Sequence, residues 1–120
     1  MAEPGARTPE DITRLFVERA NAGDVDGLAD LYEDDAVMAF PPGRTTRGRE
    51  AIRALMAGAV TSGARFEQET PLPTIEADGI ALTRTPARDG TGVRVQVVRR
   101  QADGTWRRLL DVPEERVSPR

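Results

Sequence analysis

Whatever chemistry this chain performs rests on carboxylates and arginines. It contains no histidine, cysteine or lysine, and its seventeen basic residues are all arginine, set against twenty acids. A Schiff base, a cysteine nucleophile, a Cys/His zinc site and a Ser-His dyad are therefore excluded. Among the acids Asp111 stands out, because it interrupts the apolar run Leu109-Leu110-Asp111-Val112. A carboxylate in such a setting needs a partner or shifts its pKa upward. Beside an arginine it stays ionised and serves as a base or acceptor, whereas in an apolar pocket it acts as an acid. The plainer alternative is an ion pair with Arg84 or Arg94 that only fixes a strand end.

Other residues make weaker claims. Arg94 and Gln96 share one strand face, which in the plain reading is a solvated or dimer-facing surface. Glu67 and Glu69 read as solvent-facing edge residues, with the mouth of a pocket as the alternative. Trp106 and Phe40 either wall a pocket or pack in the core, and Tyr32 is expected in the core with its hydroxyl near the surface. Glu33-Asp34-Asp35 reads as a solvated loop, so no metal site and no cofactor are expected.

The elements that must position these residues fall into two halves. Thr8-Pro9-Glu10-Asp11 opens a helix with an N-cap, a proline at the first position and acids in the first turn. Ile12, Leu15, Phe16 and Ala20 follow at helical spacing, and Asn21-Ala22-Gly23 stops it. Asp24 caps a short second helix with Val25, Leu28, Leu31 and Tyr32 on one face. Short strands are expected at 36–40 and 44–47, and Gly48 begins a third helix carrying Ile52, Leu55, Met56 and Ala59. From Arg65 onward the Asp-Gly pairs at 78–79, 89–90 and 103–104 mark hairpins between strands at 65–76, 80–87, 92–101 and 105–112. Pro71 and Pro73 require the first of these to be bulged or to lie at an edge.

At 120 residues the chain makes one domain, expected over 8–112 with flexible tails at 1–7 and 113–120. Its net charge of −3 and lack of a basic cluster argue against nucleic acid. No apolar run approaches the roughly 18 residues of a membrane span, and no signal peptide is visible, so a cytoplasmic location is expected. Aromatics are only 4% of the chain, and a core so thin in them hints at a partner subunit.

Several segments together carry a resemblance: Asn21-Ala-Gly-Asp24, Leu31-Tyr-Glu-Asp-Asp-Ala-Val37, the Gly48-Arg-Glu-Ala-Ile52 helix start and the final strand Asp103-Gly-Thr-Trp-Arg-Arg-Leu-Leu-Asp111. With this order of elements the chain resembles the nuclear transport factor two-like superfamily, nearest its ketosteroid-isomerase-like and SnoaL-like polyketide cyclase branches. The resemblance implies an α+β cystatin-like cone, a curved antiparallel sheet wrapped around three helices from the N-terminal half. It also implies a pocket inside the cone and a homodimer packed through the sheet. In the register it implies, Arg94 and Gln96 point into the cone.

The same resemblance argues against steroid isomerisation. The isomerase tyrosine falls on Phe16, its base on Phe40 and its donor acid on Gln96, none of which can play those roles. The acid that contributes to catalysis from the last strand in the epoxide hydrolase and SnoaL branches matches Asp111. The Arg-x-Asp of the hydrolases is broken, since Arg84-Thr85-Pro86 keeps the arginine but not the second acid. Three readings remain. The first is a cofactor-independent enzyme that cyclises, isomerises or opens the epoxide of a small apolar or polyketide-like molecule. In it Asp111 is acid/base, and Arg84, Arg94 or Gln96 orients an oxygen beside Phe16, Phe40 and Trp106. The second is a non-catalytic binding protein in the same cone. The third is a dimerisation module whose cone is filled by side chains.

Overall fold

The computed structural model describes residues 5–63, 65–87, 90 and 92–116, with the side chains of 114–116 excepted. Helix α1 (Pro9–Asn21) starts as its sequence requires. Thr8 Oγ1 accepts from the Asp11 amide at 3.2 Å while the Asp11 carboxylate accepts from the Thr8 amide at 3.2 Å. The chain then turns through Gly23 into the five-residue α2 (Val25–Ala29), capped by Asp24 on the Gly27 amide at 2.9 Å. A Cβ at Gly27 would lie 2.2 Å from the Asp24 carboxylate, so a side chain there would displace the cap. Arg19, buried on α1, ties the two helices by donating to the Gly27 carbonyl at 2.6 Å. Helix α3 (Arg49–Thr61) follows Gly48, whose φ of 94° suits glycine.

The six strands are β1 (Tyr32–Met38), β2 (Thr46–Arg47), β3 (Ile75–Ala77), β4 (Ile80–Pro86), β5 (Gly92–Arg100) and β6 (Trp106–Arg116). They form one curved sheet in the order β2-β1-β6-β5-β4-β3 that wraps around the helices as a cone. All neighbours are antiparallel except β1 and β6, which run parallel. The β3–β4 hairpin turns on Asp78 and Gly79, both at positive φ, as an Asp-Gly two-residue turn requires. Asp89 lies outside the described residues. Two steps along β6, Arg108 to Leu110, face one step along β5, Val98 to Val97, so Leu109 is an extra residue in the ladder.

Several boundaries differ from those the sequence suggests. Strand β1 begins at Tyr32, because α2 ends at Ala29 and its apolar spacing does not carry further. The strand expected over 65–76 shrinks to β3 at the sheet edge, and residues 65–74 form a loop. The prolines limit ladder bonding there, though the Leu72 amide still reaches the Arg84 carbonyl at 2.8 Å. Ala6 is buried and its carbonyl accepts from the Trp106 amide at 2.9 Å, and β6 continues pairing to Arg116. Ile12, Leu15, Leu31, Tyr32, Met38, Ile52, Val98 and Trp106 form the main core between helices and sheet. No helix among the described residues is long and apolar enough to cross a membrane.

Candidate functional site

The wide end of the cone holds a cavity of about 600 Å³. Helix α1 contributes Phe16 and Val17 to its wall, α3 contributes Leu55 and Met56, and Met38 and Phe40 come from the end of β1. Four of the chain's five aromatic residues line it: Phe16, Tyr32, Phe40 and Phe66. An aromatic-poor sequence thus places most of its aromatic surface around one hollow.

The polar groups converge from the sheet. Asp111 is only 3% exposed, and its Oδ2 accepts from the Tyr32 hydroxyl at 2.6 Å while Oδ1 accepts from Gln96 Nε2 at 3.0 Å. Gln96 Oε1 in turn accepts from Thr83 Oγ1 at 3.1 Å, which fixes the amide's orientation. Arg108 Nη1 donates to the Tyr32 oxygen at 3.1 Å and lies 3.5 Å from Asp111 Oδ2. Its guanidinium also sits over the Phe16 ring, 4.9 Å from the centroid, and over Tyr32 at 5.6 Å. Burial first, and then the adjacent Asp111 carboxylate, push the Tyr32 phenol well above its ordinary range, so it is a donor. Burial works against the charge on Arg108, but Tyr32 and Asp111 outweigh it and the guanidinium's pKa is raised. Every neighbour of the Asp111 side chain therefore offers it a proton or a positive charge.

The 65–74 loop borders the cavity through Arg65, Phe66, Glu67 and Glu69. Asn21 clamps it to α1, donating to the Phe66 carbonyl at 2.8 Å and accepting from the Phe66 amide at 2.9 Å. Phe66 then meets Phe16 edge-on at 6.0 Å, and Gln68 Nε2 reaches the Arg14 carbonyl at 3.2 Å. Glu69 and Arg94 form an ion pair at the cavity wall.

Of the residues singled out in the sequence, Asp111, Arg94, Gln96, Phe16 and Phe40 line the cavity. Arg84 does not. It pairs with Val95 in the ladder, on the outer face of the sheet, and its Nη2 donates to the Pro73 carbonyl at 3.2 Å. Trp106 packs in the core beside Ala6, off the cavity. Asp111 thus takes neither Arg84 nor Arg94 as its partner. Tyr32 is wholly buried with its hydroxyl at the centre of the network, contrary to the surface position expected for it. Glu67 and Glu69 line the cavity instead of facing only solvent. Glu33 and Asp34 are engaged by Arg99 and Arg49. Sequence reasoning missed Arg108. Its place two residues from Trp106, on the buried face of the same strand, was the available signal.

A curved sheet closed on three helices around such a hollow defines the cone class of the nuclear transport factor two-like superfamily. Solved structures agree with it at TM-scores well above chance. A ketosteroid isomerase-like protein from Erwinia carotovora atroseptica matches at 0.69 with 18% identity, covering 92% of this chain and 94% of its own. A protein with a cystatin-like fold from Novosphingobium aromaticivorans, described as like nuclear transport factor two, matches at 0.61 with 22% identity, covering 85% and 75%. A domain from Thiobacillus denitrificans assigned as a calcium/calmodulin-dependent protein kinase type II association domain matches at 0.67 with 24% identity, covering 94% and 100%. At these identities the likeness is one of fold. The sequence itself matches the SnoaL-like domain model over residues 13–109, and the chain belongs to that family. No curated protein matches it.

Proposed function

We propose that the cavity takes up a small, largely apolar molecule of polyketide-like character and that Asp111 accepts a proton from it. The observation that carries this reading is the Asp111 carboxylate, held by Tyr32, Gln96 and Arg108 in the wall of an apolar cavity of about 600 Å³. Ligand pockets run from about 300 to 1,000 Å³, with apolar walls and a few convergent polar groups. The hollow also speaks against a cone filled by its own side chains. Taken from a carbon acid, such a proton serves isomerisation or cyclisation; epoxide opening would instead have Asp111 accept the proton of a water that attacks the ring carbon as the ring C–O bond breaks. Steroid-type isomerisation is disfavoured, with Phe16, Phe40 and Gln96 at the isomerase positions.

The test begins with a thermal-shift screen of lipophilic and polyketide-like compounds, followed by product analysis of each hit by mass spectrometry. Asp111→Asn preserves shape and removes the proton acceptor, so it should retain the thermal shift and lose turnover. Turnover that survives in Asp111→Asn would refute the assignment of the base. A second reading, binding without chemistry, is favoured by one observation: both carboxylate oxygens already have donors from the chain itself. It predicts tight hits that remain unchanged after long incubation.

The reading includes a homodimer. The sheet's outer face presents Val93, Val95 and Val97 along β5, with Ile80 and Leu110, each 44% exposed, on the flanking strands. Its end charge is internally neutralised, because Arg99 grips Glu33 at 2.8 and 2.6 Å. An apolar strip of this kind is complementary to itself, which suits a two-fold contact between copies, with Arg84 beside Val95 as the charge it must accommodate.

A further inference from the structure

Arg108 keeps a hydrogen-bonding edge that no described residue uses. Nη1 makes both of its contacts with the network, to Tyr32 and toward Asp111. Nε is buried and has no hydrogen-bond partner among the described residues. In a guanidinium the Nε–H and one Nη2–H bond lie side by side, on the edge away from Nη1, as a fork for an oxygen acceptor. The chain uses this edge in that way twice elsewhere. Arg49 closes Nε and Nη2 on the Tyr32 carbonyl at 3.0 and 2.7 Å, and Arg99 closes the same two atoms on Glu33. Leaving a charged donor buried without an acceptor is costly, so the edge calls for an oxygen from outside the chain. Arg108 lines the cavity, where a bound molecule can supply an oxygen to Nη2, the donor of this edge that is not sealed off, and draw Nε toward it.

The charges around the cavity indicate which oxygen. Arg108 lies against Asp111 in the wall, Arg94 is paired with Glu69, and the exposed Arg65 and Glu67 add one charge of each sign. A ligand carboxylate would add an uncompensated negative charge close to Asp111, whereas a neutral carbonyl oxygen would accept from the fork at no such cost. We propose that Arg108 is the polar anchor of the ligand site and that it recognises the neutral carbonyl of a small apolar ketone or ester. This rests on the reading that the cavity takes an apolar guest, and it adds the feature by which one guest is chosen over another.

Three probes built on one flat skeleton separate the two ideas: 2-acetylnaphthalene, 2-ethylnaphthalene and 2-naphthoate, titrated calorimetrically into the full chain and into Arg108→Lys. Lysine keeps a positive charge near Tyr32 and Asp111 but lacks the fork. The ketone should bind the unaltered protein about tenfold or more tightly than the hydrocarbon, as a charge-assisted hydrogen bond allows. It should also bind more tightly than the acid. In Arg108→Lys, shown to be folded by circular dichroism, the ketone's advantage over the hydrocarbon should vanish while the hydrocarbon still binds. The infrared carbonyl stretch of the bound ketone, lowered in the unaltered protein, should return toward its value in apolar solvent. Equal binding of ketone and hydrocarbon, or a preference that survives Arg108→Lys, overturns the anchor while leaving the apolar cavity standing. Tighter binding of the acid overturns the choice of a neutral carbonyl. Binding of none of the three overturns the ligand cavity itself, and the anchor with it. If Arg108→Lys does not fold, the infrared shift in the unaltered protein decides, and an unshifted stretch refutes the contact.

Discussion

Along β4, β5 and β6 the face turned toward the helices carries Thr83, Thr85, Gln96, Arg108 and Asp111, all buried. The opposite face of the same strands carries Leu82, Val93, Val95, Val97, Leu110 and Val112, none of them fully buried. A sheet packed on a core ordinarily shows the reverse, with apolar side chains inward and polar ones outward. The inversion is local. Ala81, Val98 and Trp106 hold the apolar rule on the inner face at the end where the cone is packed. Polar residues replace them where the cavity opens. The difference teaches that one ladder serves two purposes. Its inner face gives up apolar packing for a hydrogen-bonded site, and its outer face keeps an apolar strip, the surface on which the proposed homodimer would rest.

The comparison breaks most visibly on the outer face. Leu110→Glu places a charge in the middle of the apolar strip and should halve the mass seen by light scattering, with the circular dichroism spectrum of the folded chain retained. An unaltered mass would remove the outer face from the assembly. On the inner face, Arg108→Met strips a buried carboxylate of its cation and should cost about 3–5 kcal/mol in urea unfolding. A loss under about 1 kcal/mol would mean that the inner network does not hold the sheet. Tyr32→Phe removes one hydroxyl that donates to Asp111 and accepts from Arg108, and the expected loss is about 1–3 kcal/mol.

The smallest effect is one of pH. The hydrogen bonds from Arg99, opposed by partial burial and aided by Gln101, hold the Glu33 carboxyl below its ordinary value. A lowered folded-state pKa adds stability above the unfolded value, near about pH 4, and that stability is lost as pH falls through the folded one. Glu33→Gln should therefore lower the melting temperature slightly at pH 7 and leave it nearly unchanged at pH 3. Equal losses at both values would show that the contact acts through packing alone.

Much of this architecture was legible. Thr8-Pro9, Asp24 and Gly48 each mark a helix start by local chemistry, and Asp78-Gly79 marks a hairpin by its need for positive φ. These signals act within a few residues, so a sequence displays them. The site is harder to read because it depends on which face a residue takes, and that depends on registers set far away. Tyr32 follows an apolar spacing that begins in α2, yet the helix ends three residues earlier and the side chain belongs to a strand. Arg84 reads as a pocket residue until its pairing with Val95 turns it outward. Nothing local in Arg107-Arg108 tells the two apart, although Arg108 is among the most buried charges described.

Arg108 and Asp111 stand three apart, a separation that in an unbroken strand sends two side chains to opposite faces. They meet because Leu109 takes up an additional place in β6 and resets the alternation. The site is therefore written in the phase of the strand as well as in its letters. A substitution at Leu109 leaves the count intact and should leave the pair together. Deleting that residue would preserve every acid, arginine and tyrosine of the network and still separate them, sending Asp111 among the valines or dragging the rest of β6 out of register. Within this fold, a change of length by one residue can retire the chemistry that no single exchange of side chains at that position would reach.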